Sequence, residues 1–246
     1  MEHHEILITR LFNDYLAGAG TAILDAVGLH AHNAARPWTN WMTMQILVAI
    51  LIMLFFAVLK SRLSMDRPGK IQMTLEAIYR FILSESEGNV PHHAHKYAAF
   101  FGSLFIFILV SNLIGIIPGL ESPTMFPYVP VGLAVAAFLY YNIVGVQAQG
   151  LFKYLKHLAG PIPMLAPLMV PIEIISNLAR PLSLSIRLYA NMYAGEQVTL
   201  LFLALTYFIM PSMFMGLHVF VAFLQAYVFM LLTMLYVGGA VAHEDH

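Results

Sequence analysis

The chain has 246 residues, 60% hydrophobic and only 10% charged, with a mean hydropathy of +0.76. A soluble domain carries about 25% charged residues, and the deficit here runs along most of the chain, which excludes a soluble domain on one anchor. The net charge of −1 gives nucleic acid no footing, and the lack of cysteine excludes disulfides, thiolate nucleophiles and cysteine metal sites.

The first residues, MEHHEILITRLFNDYLAG, lack the basic, apolar and cleavage regions of a signal peptide. Segment 1–37 is therefore read as an N-terminal segment, with the first span as the uncleaved insertion signal. Charged residues then delimit the spans. Arg36 and Lys60 bracket an uncharged run whose start carries Trp38 and Trp41, as in an interfacial aromatic belt. The predicted spans are 38–59, 97–118 and 130–151, each long enough for a ~30 Å hydrocarbon core. Between the first two, Ile71, Leu75, Ile78, Tyr79 and Ile82 recur at helical spacing opposite Gln72, Glu76, Arg80 and Glu87. This predicts an amphipathic helix over 71–87, lying in the membrane interface.

Two longer runs follow, 168–206 and 211–242. Pro181 inside the first should kink the helix, and Pro211 opens the second. At about 58 and 48 Å these exceed a ~30 Å core, so a steeply tilted helical hairpin is expected. The fold class is then an all-α polytopic membrane protein. It has five membrane-crossing helices, the last two long and tilted, plus one interfacial helix. Eight Lys/Arg (Lys60, Arg62, Arg67, Lys70, Arg80, Lys96, Lys153 and Lys156) fall on one side of this topology, against Arg10 and Arg36 on the other. The positive-inside rule puts the N-terminus outside and the C-terminus in the cytoplasm.

The most informative residue is Arg187, a guanidinium that cannot discharge, inside an apolar stretch. Mid-membrane it costs roughly 2.5–3.5 kcal/mol on insertion scales. Glu173, Ser176, Arg180, Ser183, Arg187, Ala190/Asn191 and Ala194 follow a 3-4-3-4 spacing and so share one helix stripe. Lipid would leave its polar groups unsatisfied, so the stripe must face protein or a water-filled cavity. A turn near 206–207 would bring Glu196 level with His218, and Arg187 level with Gln225. Glu196 and His218 can exchange protons and Arg187 cannot, which suggests a proton route ending at a fixed positive charge. The bland readings are a structural Glu173–Arg180 pair near the inner interface and a His218 that only bonds a neighbouring helix. No carboxylate of this chain falls level with Arg187, so its counter-charge is expected from another subunit.

The remaining histidines, at His3-His4, in PHHAHK over 91–96 and at His243 and His246, lack the spacing of a zinc site. No catalytic site, cofactor or metal is expected. An intramembrane enzyme would need a nucleophile or metal motif. A self-contained proton-coupled secondary transporter, the main alternative, should show paired broken helices in two halves.

RPLSLSIRLYANMYAGE, joined to HVFVAFLQAYVFMLLT and SNLIGIIPG, resembles subunit a of the F-type ATP synthase, over nearly the whole length. The resemblance implies a stator in a bacterial plasma (inner) membrane, beside a rotor ring of small c-type proteolipids and with b-type peripheral-stalk subunits. Two offset half-channels would lead to a carboxylate on each ring subunit. Arg187 takes the place of the family's essential arginine. Asn191, Glu196, His218 and Gln225 match the outward half-channel, and Glu173, Ser176, Arg180 and Ser183 the stretch beside the inward one. Asn112 matches a recurring polar position in the second span. The segment before Pro37 and the loop 119–129 match poorly and are assigned no function.

Overall fold

The structure, a computed structural model, describes residues 5–26, 36–64, 68–90, 94–117, 119–150, 166–205 and 209–241. Arg67, His92, His93, Lys153, Lys156, the expected turn at 206–207, and the histidines at 3, 4, 243 and 246 lie outside these residues. Among the described residues all regular structure is helical. The elements are α1 Leu7–Ala26, α2 Asn40–Ser61, α3 Lys70–Asn89, α4 Ala94–Ile114, a 3-10 turn Pro123–Met125, α5 Tyr128–Gln149, α6 Ala166–Leu205 and α7 Ile209–Val241.

Four of these helices are long and apolar enough to cross a membrane: Asn40–Ser61, Ala94–Ile114, Tyr128–Gln149 and Met210–Val241 within α7. With 40 residues α6 reaches about 60 Å, long enough to span. Its polar stripe is what separates it from the other four, since apolarity alone does not mark it. Pro171 and Pro181 both lie inside α6 and neither ends it. A proline removes one amide donor, and within a packed helical bundle neighbouring helices can offset that loss.

The core lies where α4, α5, α6 and α7 meet. Phe101, Phe105 and Ile108 of α4 pack with Tyr141 of α5, Leu184 and Leu188 of α6, and Phe229 and Met230 of α7. Ala222 and Ala226, one turn apart and fully buried, let α7 approach its neighbours closely. By contrast α2 is a peripheral helix, with Leu51, Met53, Leu54, Phe55 and Val58 exposed on its surface. The amphipathic helix α3 buries Ile82 in the core and leaves Ile71 and Met73 exposed, with its Phe81 beside Tyr227 of α7.

Two features go beyond the sequence reading. The N-terminal segment contains a helix, α1, locally non-helical at Leu16 and joined to α2 by specific bonds. Thr9 and Thr43 share a hydroxyl bond of 2.7 Å, and Asn13 both donates to the Trp38 carbonyl and accepts from its amide. The loop 119–129 is equally well anchored. Ser122 donates to the Ser111 carbonyl, and its oxygen lies 2.7 Å from the Thr124 hydroxyl, which is also 2.6 Å from Asn112 Oδ1 and can share its proton between them. Asn112 Nδ2 in turn donates to the Ala222 carbonyl of α7 at 3.3 Å. This buried chain of bonds ties the 3-10 turn to α4 and α7. Gly115 is part of the joint, because a Cβ there would sit 2.8 Å from Ser122 Cβ.

Candidate functional site

Helix α6 has two faces that meet along its length. Leu184, Leu188 and Met192 recur every fourth residue and are at most 2% exposed, so they root the helix in the core. Ser183, Arg187 and Asn191 each precede one of them, about 100° around the helix. Arg187 is half-buried, whereas Ser176, Ser183, Ala190, Asn191 and Ala194 are exposed. The polar stripe thus borders the core and is only partly covered by the described residues. Among those residues Arg187 has no carboxylate partner, while Glu173 and Arg180 have each other.

At the N-terminal half of α6, Arg180 Nη2 lies 3.8 Å from Glu173 Oε1, with both side chains about a third or more exposed. The Arg180 guanidinium also stands over the Tyr236 ring of α7, 5.1 Å from its centroid. Beside it, the buried Tyr141 of α5 donates its hydroxyl to Asn177 Oδ1. The sequence reading missed Tyr141 and Asn177. A tyrosine in an apolar span reads as membrane filling, and Asn177 sits one residue off the stripe.

At the C-terminal half, Asn191 Nδ2 donates to Gln225 Oε1 at 2.7 Å. The described partner of Gln225 is therefore Asn191, one turn along from the Arg187 expected to lie level with it. Phe202 stacks on Phe214 at 4.2 Å, which continues the antiparallel order of contacts towards the C-terminal end of α6 and the start of α7. Between these contacts the His218 ring rests against Gly195. A Cβ at Gly195 would meet His218 Nδ1 at 3.0 Å and Cε1 at 3.2 Å, so glycine allows the imidazole to sit this close to α6.

Two cavities flank that imidazole. The larger, about 580 Å³, is lined by Glu196, Thr199 and His218 of the two helices, by Gly115 and Glu121 after α4, and by Glu5. The smaller, about 340 Å³, is lined by Asn191, Ala194, Gly195 and His218. His218 lines both, so it stands between a chamber holding Glu196 and one reaching Asn191. His218 Nε2 and Gln225 Nε2 are buried with no hydrogen-bond partner among the described residues. Buried polar atoms are nearly always paired with protein or ordered water, so these two nitrogens suit a path that carries water or protons. The candidates Glu196, His218, Asn191 and Gln225 thereby converge at one place, with Arg187 a turn beyond Asn191. Glu173, Ser176, Arg180 and Ser183 lie apart, further towards the N-terminus of α6. No group of three or more His, Asp or Glu among the described residues could hold a metal ion.

An all-helical, multi-pass membrane protein with a charged stripe on one long helix and an acid–imidazole chamber beside it is the class so defined. The family model described as ATP synthase A chain matches residues 42–238. Among curated relatives, the ATP synthase subunit a of Solibacter usitatus (strain Ellin6076) is 63% identical over 234 residues, covering 95% of this chain and 100% of the relative. That of Koribacter versatilis (strain Ellin345) is 41% identical over 98% of both chains. That of Aquifex aeolicus (strain VF5) is 36% identical over 81% of this chain and 96% of its own. The chain belongs to the ATP synthase A chain family.

Proposed function

We propose that the chain is the stator subunit of the proton-translocating membrane sector of an F-type ATP synthase. In this reading it provides two offset half-channels to a carboxylate on each subunit of a rotor ring, with Arg187 between them. Five crossings put α6 and α7 side by side as a tilted hairpin, because helices of about 60 and 50 Å exceed a ~30 Å core. The Lys/Arg asymmetry supports an N-terminus outside and a C-terminus in the cytoplasm.

One observation carries the proposal. His218 is shared by two cavities that lead from Glu196 to Asn191, and the route stops one turn short of an arginine with no carboxylate partner in the described chain. The only partly covered stripe of α6 supports a ring as its partner. An ionised ring carboxylate facing lipid is costly, so it must be protonated to leave the stator. Opposite Arg187 it ionises, and about 2.3 kcal/mol per charge per 100 mV then biases the direction of rotation. Ser176, Ser183, Glu173 and Arg180 would line the inward half-channel. Peripheral-stalk subunits would hold the chain against the torque.

The test uses membrane vesicles carrying the whole complex. Arg187→Ala and Arg187→Lys should both abolish ATP-driven pumping and proton-driven synthesis, since a desolvated lysine can release its proton. After the catalytic head is stripped, Arg187→Ala should also leak protons down an imposed gradient, and the leak should need Glu196 and His218. Near-normal coupled pumping by Arg187→Ala would defeat the reading, whereas a tight membrane would defeat only the claim that Arg187 is the barrier.

A further inference from the structure

The larger of the two cavities beside His218 is lined by an acid that neither the stripe nor the hairpin register points to. Glu121 follows the end of α4, is half-buried, and lines the same cavity as Glu196 and His218. It is held in place from another element. Asn40, at the start of α2 and 7% exposed, donates from Nδ2 to Glu121 Oε2 at 3.1 Å. The same Asn40 receives the Ile6 amide through Oδ1 at 3.4 Å, so α2 ties the N-terminal segment to this loop. The buried Ser122–Thr124–Asn112 bonds fix the residues that follow. Glu121 is thus a carboxylate on a braced scaffold, not on a loose loop.

The other titratable groups of the chamber differ in their state. Glu5 has a counter-charge, Arg36 Nη1, 2.8 Å from its Oε2. Glu196 and His218 line the same cavity as Glu121 and complete the set. Three carboxylates, of which Glu5 is paired with Arg36, and an imidazole around one cavity suit the passing of protons more than the tight holding of any one of them. A cleft lined by one sign of charge with low-dielectric walls also concentrates the opposite ion, raising on-rates by roughly 10–10³.

We propose that Glu121, positioned by Asn40, is the outermost acid of the proton route, taking protons from the outer solution and passing them to Glu196 and His218. This rests on the half-channel reading above and adds its entry. The proton leaves hydronium for the Glu121 carboxylate, then moves through the chamber to the Glu196 carboxylate. That second transfer leaves Glu121 ionised for the next proton. The inference gives a role to the loop and N-terminal segment for which the sequence offered none.

The test compares Glu121→Gln, Glu121→Asp and Asn40→Ala in vesicles carrying the whole complex. Proton-driven synthesis is measured at a fixed pH difference while the absolute pH of the outer-face compartment is varied. Glu121→Gln should lower the rate about tenfold at alkaline outer pH, where proton capture limits, and much less at acid pH. Glu121→Asp should restore most of the loss, and Asn40→Ala should show the same pH-dependent defect in weaker form. Equal loss in Gln and Asp variants at every pH would mean that the residue only holds the loop, and would overturn the proposal. A normal rate and pH profile in Glu121→Gln, with Glu196→Ala still inactive, would overturn the entry role and leave the half-channel reading intact. Failure of the Arg187 test would instead remove the reading on which it rests.

Discussion

The two halves of the polar stripe on α6 are built differently. Towards its N-terminus, Glu173 and Arg180 meet at 3.8 Å with both side chains substantially exposed, and Tyr236 covers one face of the guanidinium. Towards its C-terminus, Glu196 and His218 line a shared cavity, and His218 Nε2 is buried without a partner among the described residues. One half satisfies its charges within itself. The other leaves acid, imidazole and amide groups arranged around space. A route for protons needs groups that bind and release; the second arrangement offers these around a cavity, whereas the first holds its carboxylate in an ion pair and leaves it substantially uncovered.

The largest effect should come from breaking the exchanging half. We predict that Glu196→Ala or His218→Ala each lowers proton flux by at least a hundredfold, on the scale of a lost general acid or base, about 10²–10⁴. The double variant Glu196→His with His218→Glu should recover part of the flux, because both groups line the same chamber and either order supplies one acid and one imidazole. Proton uptake by vesicles during ATP hydrolysis measures this. Additive losses with no recovery in the exchanged pair would show that the two groups act independently.

A smaller effect sharpens the geometry. Gly195→Ala adds a Cβ 3.0 Å from His218 Nδ1, so the ring must shift by a few tenths of an ångström. A misplacement of about 1 Å can cost 10²-fold, and we predict a loss of flux of about fivefold for this smaller shift. Alanine is also the better helix former, by about 1 kcal/mol. Assembly of the complex should therefore be unchanged or improved while flux falls. Flux unchanged in Gly195→Ala would mean that the position of the ring against α6 does not matter.

The same contrast explains what the sequence made legible. The apolar helices and the stripe follow from hydropathy and from helical spacing, which are local signals, and an antiparallel register is enough to bring Glu196 and His218 to one cavity. The register was read about one turn off at Gln225, whose partner is Asn191, because a turn point taken from two coincident pairs cannot resolve a single helical turn. Helix α1 was missed because Arg10, Asp14 and Asp25 interrupt any apolar run there, and its packing rests on Thr9 and Asn13 bonding to a distant segment. Glu121 was missed for a related reason. Its neighbour Asn40 lies 81 positions away, and nothing in the spacing of a short loop announces such a contact.

The smallest effect concerns the holding half, and it decides whether Glu173 and Arg180 carry protons or brace the helix. An exposed ion pair contributes about 0–1 kcal/mol, so Arg180→Ala should change assembly little. Arg180→Lys keeps a charge near Glu173 but loses the planar group that lies over Tyr236. If the pair only braces α6, Glu173→Gln and Arg180→Ala should each slow flux slightly, and the double variant should be no worse than either alone. If Glu173 lines the inward half-channel, Glu173→Gln should slow flux about two- to threefold even when Arg180 is already alanine, since a rim carboxylate that draws cations acts without its partner. Measuring pumping in the four combinations, with the amount of assembled complex held equal, separates the two. We expect the second pattern, because Glu173 keeps nearly half of its side chain exposed although it is paired. A carboxylate serving only to brace Arg180 gains nothing from being left uncovered by the rest of the chain, whereas one that passes protons must be reached by them.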